Sequence, residues 1–125
     1  MNKKILIIIV AIIVIGFLAV LWSRSSSQPG ELDTFAQCLE EKGAVFYGTF
    51  WCSHCQSQKV MFGKSVKYLP YVECSTVNGK DQLKICQDKN IKGYPTWEFA
   101  DGSRLSGELP LKQLSEKTGC LLPQS

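Results

Sequence analysis

The sequence predicts an α/β fold: a mixed four-stranded sheet with helices on both faces, carried behind one N-terminal apolar helix. Three observations predict it. Ile5 to Trp22 is an 18-residue run with no charge and no proline. Beyond it, helical and strand-like patterns follow in the order α-β-α-β-α-β-β-α, which builds a helix-covered sheet rather than a bundle or a sandwich. Cys52-Ser53-His54-Cys55 falls where the first strand gives way to a helix. The chain has 125 residues, and the 103 after Trp22 suffice for one compact core but not two.

The apolar run comes first. It is apolar all round, unlike the striped helix of a soluble core. At 1.5 Å per residue it spans about 27 Å, enough to cross a hydrocarbon layer. A cleaved signal peptide has a shorter apolar region of about 7–15 residues and a small-x-small site. This run ends in Ala19-Val20-Leu21-Trp22, with no good site. Residues 1–22 are therefore expected to be a cytoplasmic stub and an uncleaved transmembrane signal-anchor. Lys3 and Lys4 precede the run and hold the N-terminus in the cytoplasm, a bias that Arg24 weakens. The expected location is the cytoplasmic membrane, single-pass, with the domain facing the periplasm or the cell exterior. Residues 23–31 read as a flexible polar tether, and residues 32–125 as the folded domain.

Within the domain, Leu32, Phe35, Ala36 and Leu39 have helical spacing, and Gly43 stops that helix. Ala44–Phe50 is a nearly continuous apolar run, suited to a strand buried on both faces. Gln56 to about Tyr68 predicts a helix with Gly63 as its weak point. Pro70–Ser75 is strand-like, and Thr76–Lys80 is a turn carrying Asn-Gly. Asp81–Asn90 predicts a short helix with Leu83, Ile85 and Cys86 inward. Thr96–Ala100 and Ser103–Ser106 form a hairpin across Asp101-Gly102. Pro110–Thr118 is the last helix, with proline in its first turn and Gly119 after its end.

Composition narrows the function. Net charge is +3, and removing Lys3 and Lys4 leaves a domain near neutrality. That argues against nucleic acid, which calls for a basic face. A single histidine excludes a multi-histidine metal site. Six cysteines beyond the apolar run, in an oxidising compartment, point to disulfide chemistry.

The chemistry is placed on Cys52 and Cys55. Two intervening residues let both sulfurs meet in the first helical turn. Unpaired N–H groups and the positive end of the helix dipole stabilise a thiolate at Cys52. Cys52 is the exchanging sulfur, and Cys55, deeper in the helix, resolves the mixed disulfide. His54 adds a charge or hydrogen bond near the thiolate, which favours the reduced form and makes the disulfide more oxidising; alternatively it is an exposed turn residue. A zinc site on Cys52, Cys55, Cys74 and Cys86 lacks a second close-spaced pair, so no metal is expected. The redox-active disulfide itself stands in for any cofactor. Tyr94-Pro95-Thr96 is the second element. Pro95 suits a strand start, but in a redox fold of this element order a cis proline faces the cysteine pair. The groups beside it then receive an extended peptide.

Phe50-Trp51-Cys52-x-His54-Cys55 with Tyr94-Pro95-Thr96 resembles the thioredoxin fold. Tyr47–Gln56, Gln58-Lys59 with Phe62-Gly63, Leu69–Ser75 and Tyr94–Trp97 are most similar to the thioredoxin-like domain associated with bacterial vitamin K epoxide reductase homologues. The resemblance covers about residues 32–120. It implies a thiol–disulfide oxidoreductase outside the cytoplasm, with Cys52, Cys55, His54 and Pro95 catalytic and Trp51, Ser53, Tyr94 and Thr96 facing substrate. It implies cysteine-containing secreted proteins as substrates and a membrane quinone-linked thiol oxidase, a vitamin K epoxide reductase homologue, as electron acceptor. It also implies a structural disulfide between Cys74 and Cys86, which would pin the second strand to the third helix. Cys38 and Cys120 then remain, either as a second disulfide or as two separate thiols.

Two departures stand out. Ser53 occupies a position that is commonly proline in the family. Phe46 occupies the position of thioredoxin's buried aspartate, so that acid/base is missing. Glu73 on the neighbouring strand substitutes for it if it faces the helix; otherwise it is a solvated carboxylate. The expected activity is oxidation of secreted protein thiols. The alternatives are a reductant or isomerase of the same fold, as in cytochrome maturation, and a non-catalytic binding module.

Overall fold

The computed structural model describes residues 2–25 and 29–124. Residues 26–28 of the expected tether, and Ser125, lie outside the described residues.

Helix α1 runs Lys3–Ser25, past the Trp22 where the apolar run ends. Its Lys3–Ser23 stretch has a mean hydropathy of 3.4 and none of it is buried, so this helix is long and apolar enough to cross a membrane.

The domain begins with α2 (Asp33–Glu41), whose Phe35, Ala36 and Leu39 form one buried stripe. Strand β1 (Val45–Gly48) follows, then α3 (Ser53–Met61). A six-residue 3₁₀ helix spans Gly63–Tyr68. The predicted helix over 56–68 is thus two pieces that begin three residues earlier. Gly63 has φ +50°, a left-handed conformation that costs glycine little and breaks the α-helical run. Next come β2 (Tyr71–Glu73), α4 (Lys84–Asp88), β3 (Thr96–Glu98), β4 (Arg104–Ser106) and α5 (Leu111–Thr118). Pro110 caps the start of α5, and Gly119 closes its end.

The sheet order is β2-β1-β3-β4. β1 and β2 are parallel, while β1–β3 and β3–β4 are antiparallel. Each strand is shorter than its sequence pattern: residues 49–50 after β1 pass into the loop that carries Cys52, and residues 99–103 between β3 and β4 form the hairpin turn. Alternate residues of β1 enter different cores. Phe46 joins the larger one, built from α2, α3, α5 and Trp97, whereas Tyr47 joins a smaller one with Cys74, Cys86 and Ile91. The Phe46 and Trp97 rings stack at 4.9 Å in the centre of the larger core.

One expectation fails. Leu83 and Ile85 do not face inward; both are exposed, and only Cys86 of α4 is buried. A five-residue helix has room for one inward position, and the cysteine takes it.

Candidate active site

The site is built at the C-terminal end of β1. Cys52 is the N-cap of α3, with extended backbone, and its Sγ accepts the Cys55 N–H at 3.2 Å. A sulfur there meets the unpaired amides of the first turn, which stabilise negative charge on it. Cys55 lies one turn deeper and is fully buried, and neither cysteine is in a disulfide. Burial, then the hydrogen bond with Cys52, pushes the Cys55 thiol up to about 12, against an opposing backbone hydrogen bond from Thr49. The arrangement sets one sulfur at the helix N-terminus beside a buried one that keeps its proton.

Gly48 makes this packing possible. A Cβ there would lie 3.0 Å from Cys55 Sγ and 2.9 Å from the Tyr71 ring, so a side chain would push the helix off the sheet.

Phe50 and Trp51, both half exposed, flank Cys52. The Trp51 indole N–H donates to Ser75 Oγ at 2.9 Å, and its ring meets Tyr94 edge-on at 6.0 Å. That contact joins the loop before Cys52 to the loop before β3. There the Tyr94–Pro95 peptide is cis. Thr96 is buried, and its hydroxyl donates to Gly93 O at 2.8 Å. Ser53 is exposed on the first turn of α3. His54 is also exposed, with its Nδ1 paired to the Glu108 carboxylate. Glu108 was not singled out from sequence, because 54 residues separate the partners.

Glu73 is half-buried. Its Oε1 accepts the Ser75 N–H at 2.9 Å and the Phe50 N–H at 3.3 Å, and its Oε2 accepts the Tyr71 hydroxyl at 2.6 Å. It is therefore tied to the loop that leads into Cys52. Tyr71 sits on the same face, with Lys59 Nζ 3.4 Å above its ring.

Gln58 is the other residue that sequence reading missed. It is fully buried on α3. Its amide donates to Leu109 O at 3.0 Å, and its Oε1 accepts the Leu109 N–H at 2.7 Å and the Trp97 indole N–H at 3.3 Å. These bonds fix the cysteine helix to β3 and to the segment carrying Glu108.

The remaining cysteines form two disulfides. Cys74–Cys86 joins the end of β2 to α4, with Cα atoms 5.6 Å apart. Cys38–Cys120 joins α2 to the chain after α5, with Cα atoms 5.8 Å apart. α2 and α5 contribute to the same core, which brings those two cysteines together.

A four-stranded mixed sheet, a Cys-x-x-Cys pair capping a helix, and a cis-proline loop beside it define a thioredoxin-fold redox domain. The chain belongs to the thioredoxin family, which it matches over residues 31–117. It is 47% identical over 105 residues to "Thiol-disulfide oxidoreductase LTO1" of Arabidopsis thaliana, an alignment covering 81% of this chain and 27% of that protein. It is 36% identical over 90 residues to "Thioredoxin domain-containing protein 5 homolog" of Drosophila melanogaster, covering 66% of this chain and 21% of that protein. The chain thus spans about a quarter of the length of the curated relatives it matches.

Proposed function

We propose that this protein is a membrane-anchored, extracytoplasmic thiol–disulfide oxidoreductase that oxidises secreted protein thiols. Thioredoxin-family membership and the likeness to a curated thiol–disulfide oxidoreductase support the class of activity. The observation that carries the mechanism is the pairing of Cys52 Sγ with the Cys55 N–H at the start of α3, over a fully buried Cys55.

A substrate thiolate attacks Cys52 of the Cys52–Cys55 disulfide. The S–S bond breaks, and Cys55 leaves and takes up a proton. A second substrate thiolate attacks the substrate sulfur of the mixed disulfide, releasing Cys52 as a thiolate. The substrate has lost two electrons and gained a disulfide; the pair has gained the two electrons. Stabilisation of the Cys52 thiolate makes it a good leaving group in the last step. In this reading Trp51, Ser53, Tyr94 and Thr96 receive the substrate, and Pro95 and His54 act beside Cys52.

A membrane quinone-linked thiol oxidase, of the vitamin K epoxide reductase homologue kind, re-oxidises the pair. This partner rests on the family resemblance carried by the Cys52–Cys55, Leu69–Ser75 and Tyr94–Trp97 stretches. Residues 1–22 anchor the protein with the N-terminus in the cytoplasm, residues 23–31 act as tether, and residues 32–125 work outside it. The basis is the apolar helix and the lysines before it.

The test is trapping. Cys55→Ala is expected to accumulate partner proteins bound covalently to Cys52, resolved on non-reducing gels, and Cys52→Ala to trap none. Trapping by Cys52→Ala alone would reverse the two roles.

A further inference from the structure

The chain that leads into the domain is fastened to it before α2 begins. The Gly30 N–H donates to Asp33 Oδ2 at 3.0 Å, and the Leu32 N–H donates to Ser65 Oγ at 3.0 Å. Ser65 is fully buried on the 3₁₀ helix. A Cβ on Gly30 would fall 2.2 Å from Ser65 Oγ and 2.7 Å from its backbone nitrogen, so the close approach requires glycine. This joint lies beside the C-terminal end of α3. Pro29 and Leu32 line an open groove of about 390 Å³ together with Val60, Met61 and Lys64. Val60 is 76% exposed, and the 3₁₀ helix adds exposed Val66 and Lys67.

We propose that this face docks on the phospholipid headgroups of the membrane that holds α1. The docking rests on α1 being a membrane anchor. α1 ends at Ser25, and the groove begins at Pro29. Between those two Cα atoms the chain can stretch at most about 14 Å. The apolar run ends at Trp22, about one helical turn before Ser25. A headgroup layer is itself roughly 5–7 Å deep, and a domain of this size has a radius of gyration of about 13 Å. The covalent link therefore holds the face around Pro29, rather than the far side of the domain, at the lipid surface. Its composition suits that place. Val60 and Met61 offer an apolar edge, and Lys64 and Lys67 carry cations on flexible stems that can reach phosphates. The acids here, Glu31 and Asp33, are matched by those lysines, and Asp33 is engaged by the Gly30 N–H. Because the anchor already keeps the domain at the surface, a weak contact is enough to orient it.

The consequence is for the redox pair. Toward Cys52 the exposed residues of α3 are Ser53, His54, Gln56 and Ser57, all polar, so the lipid contact stops at Val60. Cys52 lies about 12 Å along the helix from there. The pair is thus held off the lipid, open to secreted proteins and to thiols that a membrane partner raises above the headgroups.

The test uses the full-length, isotope-labelled protein in nanodiscs of phosphatidylcholine and phosphatidylglycerol, with and without a lipid carrying a nitroxide on its headgroup. The nitroxide erases the amide signals of residues close to it. Amides of residues 60–67 are expected to lose most of their intensity, and those of residues 52–55 to keep most of theirs. Val60→Asp with Lys64→Glu changes two exposed side chains outside the redox site. It should abolish that contrast while thiol exchange with a small aromatic disulfide stays at the wild-type rate. Equal signal loss over all faces of the domain, loss centred on Phe50 and Trp51, or an unchanged contrast in the variant would overturn the proposal. Full intensity at the Leu21 and Trp22 amides would instead overturn the anchor on which it rests.

Discussion

Gln58 shows how one side chain sets the position of the reactive pair. Its amide satisfies the Leu109 N–H and C=O and the Trp97 indole N–H, all inside the core. Each buried group left without a partner costs about 1–3 kcal/mol. Gln58→Leu has similar volume but no polar atoms, so it strands all three. Urea unfolding is expected to show a loss of about 3 kcal/mol or more, and a change below about 0.5 kcal/mol would mean that water or rearrangement replaces the amide. Cys52 and Cys55 were legible in sequence because their chemistry is local: a strand end, a helix start and a two-residue gap. Gln58 and Glu108 were not, because each acts through a partner on another element. A glutamine in the middle of an amphipathic helix reads as surface until the sheet beneath it is known. Glu73 was legible only as a candidate, since its direction depends on the pairing of β2 with β1.

At the scale of elements, the alternation of patterns was readable and the ends were not. The predicted helix over 56–68 became α3 and a 3₁₀ helix because Gly63 turns left-handed between them. The helix over 81–90 shrank to Lys84–Asp88, with only Cys86 inward, because the segment is held by its disulfide to β2 rather than by an apolar stripe. The pairing of Cys38 with Cys120 could not be read from their positions, because it depends on which face of the sheet each helix takes. The structure packs α2 and α5 into one core, and their disulfide closes a loop of 82 residues. In the chain-entropy account such a loop is worth about 4.5 kcal/mol. Cys38→Ala/Cys120→Ala is expected to lower unfolding stability by roughly that amount. The rate of thiol release by Cys52 should stay the same, since neither residue touches the site. An unchanged stability would mean that this disulfide does not constrain the unfolded chain.

At the scale of the molecule, the parts serve one arrangement. An apolar helix precedes a domain whose larger core carries Cys52 and Cys55 at one edge. Two disulfides cross-link the domain around the pair, joining α2 to the chain after α5 and the end of β2 to α4. The Cys55 N–H donates to Cys52 Sγ at the start of α3, and the proposed function has the pair acting as an oxidant. The direct measurement is the equilibrium potential of the Cys52–Cys55 couple in the full-length protein, titrated in detergent with glutathione redox buffers. The account predicts one two-electron transition between about −120 and −180 mV, the range of dedicated thiol oxidants and isomerases. A transition near about −270 mV, where thioredoxin lies, or a pair that does not titrate, would contradict it.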